Sequence, residues 1–139
     1  MNYKIIGKYI KHLDFSIPNP KAFFLLSENI SNYKINIDIK SIRVKQKINE
    51  IQVTLNLTPN KQDFEKINTK IVFATLIELS DEKMNKNELE KIVLIDVPSQ
   101  IYGELRKIFV NLFENSGFRD VNISKSIDFK KLYDMKKVQ

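Results

Sequence analysis

Apolar residues along this chain recur with two different periods, and the period changes about two thirds of the way along the sequence. From Tyr3 to Ile17 and from Tyr33 to Thr58, apolar positions mostly alternate with polar ones, as in strands that are buried on one face. From Asp96 to Phe118, apolar positions recur at steps of three and four, as in an amphipathic helix. The sequence therefore predicts strands first and helices last.

Four strands are predicted, over Tyr3–Ile17, Tyr33–Val44, Ile51–Thr58 and Phe64–Leu79. In the second strand the apolar positions change parity near Lys40 and Ser41, which predicts a bulge there. The fourth strand is apolar on both parities from Ile71 to Ile77, a pattern typical of strands that are covered on both faces. If helices cover one face, a loop or another subunit has to cover the other.

Two helices are predicted in the last third of the chain. The first lies within the stretch Asp96–Phe118, with Pro98 suited to its first helical position and Gly117 just past its last turn. The second begins after Asp128, a good N-cap residue. The segments Lys21–Glu28 and Ser80–Ile95 are predicted as a loop and as a polar connection with an extended crossover. The fold class is then α+β, a four-stranded antiparallel sheet with two C-terminal helices packed on one face, in a single domain over residues 1–139.

Charge and composition narrow the choice of partners and compartment. The formal net charge is +6, but the lysines are scattered, so we expect no nucleic-acid partner. A basic β-sheet module that binds nucleic acid remains an alternative, and a clustered basic and aromatic face would favour it. The chain has no Cys, no apolar run long enough to span a bilayer and no signal-peptide pattern at its start, which predicts a cytoplasmic protein without direct membrane insertion.

The sequence offers little material for catalysis. His12 is the only histidine, and we expect it to be an exposed strand residue. Without a cysteine or a second imidazole, a His-based metal site or a Cys–His pair cannot form. The three glycines are far apart, so there is no loop of the kind that cradles phosphates. We therefore expect no metal, no cofactor and no enzymatic activity.

Several segments, in order, resemble the SecB family of bacterial protein-export chaperones. Tyr9–Asn19, YIKHLDFSIPN, is similar to the family's first strand, and Ile35–Asp38 is similar to its alternating second strand. Around the first helix, Pro98, Ile101, Tyr102 and Arg106 fit the family's signature, and Gly117-Phe118 fits the turn that follows. Ile127–Tyr133 resembles the start of the family's second helix. The resemblance covers nearly the whole chain.

The resemblance implies a chaperone that works without ATP. Members of the family hold unfolded preproteins in apolar grooves, deliver them to the SecA motor and assemble as homotetramers, as dimers of dimers. Carried over by position, the client-binding groove would be lined by Tyr33, Ile35, Ile37, Phe129, Leu132 and Tyr133. A SecB-like chaperone that serves a toxin–antitoxin pair remains an alternative to general export, and the sequence does not separate the two.

Two further surfaces follow from the same resemblance. The positions that match subunit contacts are Thr69, Ile71 and Phe73, and the helix stripe adds Leu105 and Ile108. The positions that match the SecA-facing surface are His12, Ser16 and Lys70, where the family is typically acidic. The family's usual Gly-Gly in the fourth strand is replaced by Ala74-Thr75. These departures bear on SecA docking more than on the holding of clients.

Overall fold

The computed structural model describes residues 2–28, 33–59, 67–118 and 126–138, and within them it contains one four-stranded sheet. The strands are β1 (Tyr3–Ser16), β2 (Tyr33–Lys45), β3 (Ile48–Pro59) and β4 (Asn68–Leu79). Their order across the sheet is β1-β4-β3-β2, and every neighbouring pair is antiparallel. The predicted antiparallel sheet is confirmed. The beginning of the predicted fourth strand, residues 64–66, lies outside the described residues.

Two bulges in β1 change which of its side chains share a face. The register against β4 shifts between Ile5 and Gly7 and again between Ile10 and His12. Simple alternation would place Tyr9 and Leu13 on one face, but their partners are Ala74 and Ile71, which are an odd number of residues apart. Because side chains alternate along a strand, Tyr9 and Leu13 therefore lie on opposite faces of the sheet.

The bulge predicted in β2 is misplaced. The pairing with β3 continues without a break from Lys40 through Ser41 to Ile42, and the register shifts only between Arg43 and Lys45. The prediction assumed that every apolar residue of this strand faces the core. Ile42 instead lies on the other face and is 39% exposed, so its change of parity reflects an exposed side chain and not a bulge.

The segment predicted as a loop after β1 is a helix, α1 (Pro20–Glu28). Asn19 caps its start, since the backbone N–H of Ala22 donates to Asn19 Oδ1 over 2.8 Å. Pro20 follows the cap at the first helical position, where its missing N–H leaves no acceptor unsatisfied. The Asn-Pro pair was thus a helix start signal as well as the end of a strand.

The end of the predicted polar connection and the predicted extended crossover are also helical. Together these segments contain α2 (Lys86–Lys91) and a π-helical turn (Ile92–Asp96), which leads directly into α3 (Val97–Glu114). Asn85 caps α2 through a 2.8 Å bond from the backbone N–H of Asn87. The π turn ends just before Pro98, which has no N–H to donate and whose ring crowds the preceding turn. A widened turn at this point lets the helix continue past the proline.

The two predicted helix boundaries near the C-terminus are confirmed. Gly117 has a φ of +95°, and the N–H of Phe118 bonds the carbonyl of Phe113 over 3.0 Å, so a Schellman motif closes α3. Asp128 caps α4 (Phe129–Val138), accepting from the backbone N–H of Lys131 over 3.0 Å. The described residues contain four α-helical segments, more than the two predicted, and α4 lies beside β2 and the π turn.

The core fills the space between one face of the sheet and helices α1 and α3. We call this the inner sheet face and the opposite one the outer sheet face. The stripe of α3 is exposed by no more than 1% at each of its five central positions, Val97, Ile101, Leu105, Phe109 and Phe113. Ala22 and Leu26 of α1 join the same cluster, as do Ile51 and Leu55 of β3.

The outer cover of β4 comes from side chains of the neighbouring strands. Ala74 is completely buried, although its side chain belongs to the outer sheet face. Its partners across the sheet are Tyr9 on β1 and Gln52 on β3, and long side chains from these two strands meet above it. The apolar character of β4 on both faces therefore does not by itself require a second subunit.

Candidate client groove and outer sheet face

An apolar groove of about 260 Å³ lies between edge strand β2 and helix α4, with the π turn at its base. The side chains that line it are Ile37, Asp38, Ile39, Leu94, Phe129, Leu132, Tyr133 and Met135. The groove forms because α4 lies beside the edge of the sheet, where β2 has β3 as its one neighbour among the described strands. One wall is thus a strand and the other a helix.

Phe129 and Tyr133 anchor α4 on the body of the protein. They are 2% and 7% exposed, and the Phe129 ring meets the Tyr102 ring edge to face at a centroid distance of 6.1 Å. The Tyr133 hydroxyl donates to Glu90 Oε2 over 3.0 Å. Burial raises the pKa of Tyr102, which Arg106 partly offsets. These contacts fix the position of the helical wall.

Leu132 and Met135 form the open part of that wall. Leu132 is 48% exposed and Met135 is 53% exposed. On the opposite wall, Ile37 and Ile39 are half-buried, and each packs against the hydrophobic core. The groove therefore offers apolar surface that the chain itself leaves accessible, next to side chains packed on the core.

The structure brings four of the six predicted groove residues together: Ile37, Phe129, Leu132 and Tyr133. Ile35 is half-buried one position further along the same face of β2 and packs against the core. Tyr33 begins β2, but its side chain lies outside the described residues. Sequence reasoning did not include Ile39, Leu94 and Met135. Ile39 continues the alternation of Ile35 and Ile37, and Met135 follows Leu132 by one helical turn, so both had a signal.

The wall of the groove that is formed by β2 also contains the outer edge of this strand. Backbone N–H and C=O groups on an edge strand that lack a ladder partner can pair with an added strand. β2 is 13 residues long and forms one boundary of the described sheet. An extended polypeptide in the groove could therefore bury apolar side chains against α4 and pair its backbone with β2.

The three predicted SecA-facing residues lie together on the outer sheet face. His12 pairs with Val72, Lys70 with Asp14, and Ser16 with Asn68, and these positions share one parity on β4. His12, Ser16 and Lys70 are all exposed, as predicted for His12. Asp14 lies beside Lys70 in the register, so positive and negative side chains alternate here.

On the outer sheet face, near the hairpin that joins β2 and β3, Glu50 is a buried carboxylate with three partners. It is 7% exposed and accepts hydrogen bonds from Lys11 Nζ at 2.7 Å, from Gln52 Nε2 at 2.6 Å and from the Tyr9 hydroxyl. The bonds from Lys11 and Tyr9 lower the pKa of Glu50 to about 2. The same bond to Glu50 raises the pKa of Tyr9. The cluster ties β1 to β3 across the small side chain of Ala74.

Most residues predicted at subunit contacts are used inside the chain. Thr69, Ile71, Phe73 and Leu105 are no more than 4% exposed, and the last three belong to the hydrophobic core. Ile108 is half-buried at the margin of that core. In this structure, therefore, only Ile108 of the five leaves part of its side chain accessible to a second copy.

The structure defines a domain class in which an antiparallel four-stranded sheet carries an apolar groove between its edge strand and a helix. The family model described as "Preprotein translocase subunit SecB" matches residues 1–139, and the chain belongs to the SecB family. Members of this family are chaperones of protein export. In the described part of the chain, no helix has the length and hydropathy that a membrane span requires.

Curated relatives and a solved structure agree with this assignment. The chain is 37% identical over 132 residues to the putative protein-export protein SecB of Pelagibacter ubique, covering 95% of this chain and 94% of that protein. It is 22% identical over 143 residues to the protein-export protein SecB of Anaplasma phagocytophilum, covering 94% and 90% of the two chains. The SecB-like chaperone of Mycobacterium tuberculosis, solved with a ChAD peptide from the HigA1 antitoxin, superposes with a TM-score of 0.67 at 11% identity, over 91% of this chain and 88% of that one. At that identity the last comparison supports the fold alone.

Proposed function

We propose that this protein holds non-native preproteins in the groove between β2 and α4, without nucleotide, and passes them to the SecA motor. The observation that carries the proposal is the partly open apolar wall of Leu132 and Met135, which faces an edge strand. A folded client hides most of its apolar side chains and pairs its own backbone. An unfolded client exposes both, so this groove discriminates between the two states.

Holding of this kind needs no chemical energy from a ligand. Release follows when the client is transferred to a partner that binds it more tightly or folds it. We place SecA on the outer sheet face, at His12, Ser16 and Lys70, which lie on the side of the sheet away from α3. A client in the groove and a motor on the outer sheet face would not compete for the same residues.

The proposed assembly is a homotetramer formed as a dimer of dimers. Strand β1 supports it, since it lies at the other edge of the sheet and runs for 14 residues. Ile6, Ile10 and Leu13 on this strand are 42–46% exposed. Long edge strands with exposed apolar side chains are templates for pairing with another chain. Half-buried Ile108 on α3 is the remaining candidate from the predicted contacts.

The test of the holding function is an aggregation assay with a reduced, unfolded client in the absence of nucleotide. We expect the protein to suppress light scattering and to bind the native client poorly. Replacing Ile35 and Ile37 with Ser should weaken suppression, while a circular dichroism spectrum typical of the folded protein is retained. A folded double variant that suppresses as well as wild type would remove these two residues from the groove.

Delivery and assembly need separate measurements. Binding to the cognate SecA should weaken with Lys70→Glu, and the holding of clients should not change.

Light scattering on a sizing column should give a tetramer at micromolar concentration. A monomer peak at every dilution would contradict the proposed assembly but not the holding function.

A second candidate function is service to a toxin–antitoxin pair. The observation that favours it is the structural neighbour, which was solved with an antitoxin peptide. The relative at 37% identity is named for protein export, which favours the first proposal. Identifying the proteins that co-purify from the native cells separates the two, since a single antitoxin would replace a range of preproteins.

A further inference from the structure

The hairpin that joins β2 and β3 concentrates positive charge at one end of the sheet. Between Asp38 and Glu50, the segment KSIRVKQK carries four cations and no carboxylate. The four are Lys40, Arg43, Lys45 and Lys47, and all are exposed. Although lysines look scattered along the whole chain, this end of the sheet has a basic patch. We call residues 40–47 the basic hairpin.

The carboxylates closest to the hairpin on β3 and β4 are already paired with other lysines, and Asp38, two residues before Lys40 on β2, forms no ion pair within the part of the chain that the structure describes. Glu50, opposite Ile42, bonds Lys11 Nζ at 2.7 Å. Glu78, opposite Ile48, lies 3.4 Å from Lys4 Nζ. Among the described residues, no carboxylate forms an ion pair with any cation of the basic hairpin. Its charge therefore remains available to a partner.

Two aliphatic side chains are exposed between these cations. Ile42 is 39% exposed and Val44 is 55% exposed, and Val44 lies at the register shift where the ladder with β3 is interrupted. Because Ile42 and Val44 lie near the end of a hairpin, both side chains can contact an extended, flat surface. Basic residues next to exposed aliphatic residues combine electrostatic attraction with burial of apolar area, the two terms that hold peripheral proteins on anionic membranes.

We infer that the basic hairpin is a peripheral contact site for anionic phospholipid membranes. An anionic lipid surface complements four unneutralised cations, and its acyl boundary accepts Ile42 and Val44. Nucleic acid fits less well, because the segment from Lys40 to Lys47 has no aromatic side chain on which a base could stack. The contact goes beyond the proposed holding function and does not depend on it, since the hairpin shares no residue with the client groove.

The test is sedimentation with vesicles of phosphatidylcholine alone or with 30% phosphatidylglycerol added. We expect the full chain to bind the anionic vesicles only, with binding that weakens as salt rises. The variant Arg43→Gln/Lys45→Gln/Lys47→Asn should bind about 100-fold more weakly, at about fivefold for each cation. Asn is chosen at position 47 because Lys47 has a φ of 65°, which Asn tolerates.

The matched control removes three exposed cations elsewhere, in Lys21→Gln/Lys107→Gln/Lys130→Gln. It has the same net charge as the hairpin variant, and we expect it to bind nearly as well as wild type. Equal losses in the two triple variants would overturn the proposal, because net charge alone would then explain the binding. Absence of wild-type binding to anionic vesicles would also overturn it, and binding to single-stranded oligonucleotides instead would assign the hairpin to nucleic acid.

A second readout does not require the triple variant to fold. The chain has no Cys, so a single Gln46→Cys carries an environment-sensitive fluorophore at the hairpin tip. Anionic vesicles should shift its emission to the blue, while the same label at Lys107→Cys on α3 should not respond. A response at position 107 without one at position 46 would place the contact elsewhere and overturn the inference.

Discussion

Helices α3 and α4 have the same apolar period but bury different fractions of their apolar faces. At Leu105, Phe109 and Phe113, α3 is exposed by no more than 1%, whereas α4 buries Phe129 and Tyr133 but leaves Leu132 and Met135 about half exposed. The difference lies in what each helix faces. α3 packs against the inner sheet face, and α4 lies beside the edge strand β2. Helical periodicity thus identifies an apolar face but does not tell whether the same chain covers all of it.

The largest expected effect compares one leucine from each helix. Leu105→Ala should lower the free energy of unfolding by about 2–5 kcal/mol, because it opens a cavity in a closed core. Leu132→Ala removes a half-exposed side chain and should cost less than about 1 kcal/mol. Urea unfolding of both variants measures the difference. Similar losses would mean that α4 is as deeply packed as α3.

Lowering the pH should weaken the Glu50 cluster that ties β1 to β3. The pKa of Glu50 is about 2 in the folded protein, against an ordinary value of 4.5. Because the folded value is lower, its stabilisation is present above pH 4.5 and is lost as the pH falls from 4.5 towards 2. We expect a loss of at most about 3 kcal/mol over this window in wild type.

The control for the acid effect is Glu50→Gln, which lacks the ionised carboxylate from the start and should show a flatter stability profile below pH 4.5. In wild type, hydrogen exchange below pH 4.5 should show lower protection of the amides of both α3 and α4. A selective loss in α4 would show that the groove, and not the β1–β3 tie, responds to acid.

A change confined to the groove should separate function from stability. Leu132→Ser/Met135→Ser removes the open apolar wall, so we expect about tenfold weaker client binding with little change in the urea midpoint. The matched control is Ile42→Ser/Val44→Ser, which removes exposed aliphatic side chains from the basic hairpin. If the control weakens client binding equally, clients bind exposed apolar surface in general and not this groove.

The smallest effect concerns the anchoring of α4. Tyr133→Phe removes the hydroxyl that donates to Glu90 at 3.0 Å, at a cost of about 1 kcal/mol. Hydrogen exchange should speed up at the amides of α4 and not at those of α3. Glu90→Gln keeps an acceptor for the hydroxyl and should behave like wild type. Unchanged exchange in Tyr133→Phe would leave the Phe129–Tyr102 contact as the main anchor.

The sequence alone determined the elements whose signals are local. Alternation predicted the antiparallel strands, and Gly117 and Asp128 predicted helix boundaries that the structure confirms, because caps and turns depend on a few neighbouring residues. Pro98 lies in the first turn of α3, but a π turn joins that helix to α2 without a break. Helices α1 and α2 were missed although Asn19 and Asn85 cap them. The apolar run of α1 is short and therefore ambiguous between loop, strand and helix, and α2 is a short polar segment without an apolar stripe.

Tertiary structure alone decided how these elements use their side chains. The bulges of β1 placed Tyr9 and Leu13 on opposite faces, and the sheet order made β2 an edge beside α4, so that a groove remained open there. The packing of α3 on the inner sheet face enclosed Leu105, which sequence reasoning had placed at a subunit contact. Burial is set by contacts between residues far apart in the chain, and a pattern of apolar positions does not contain those contacts.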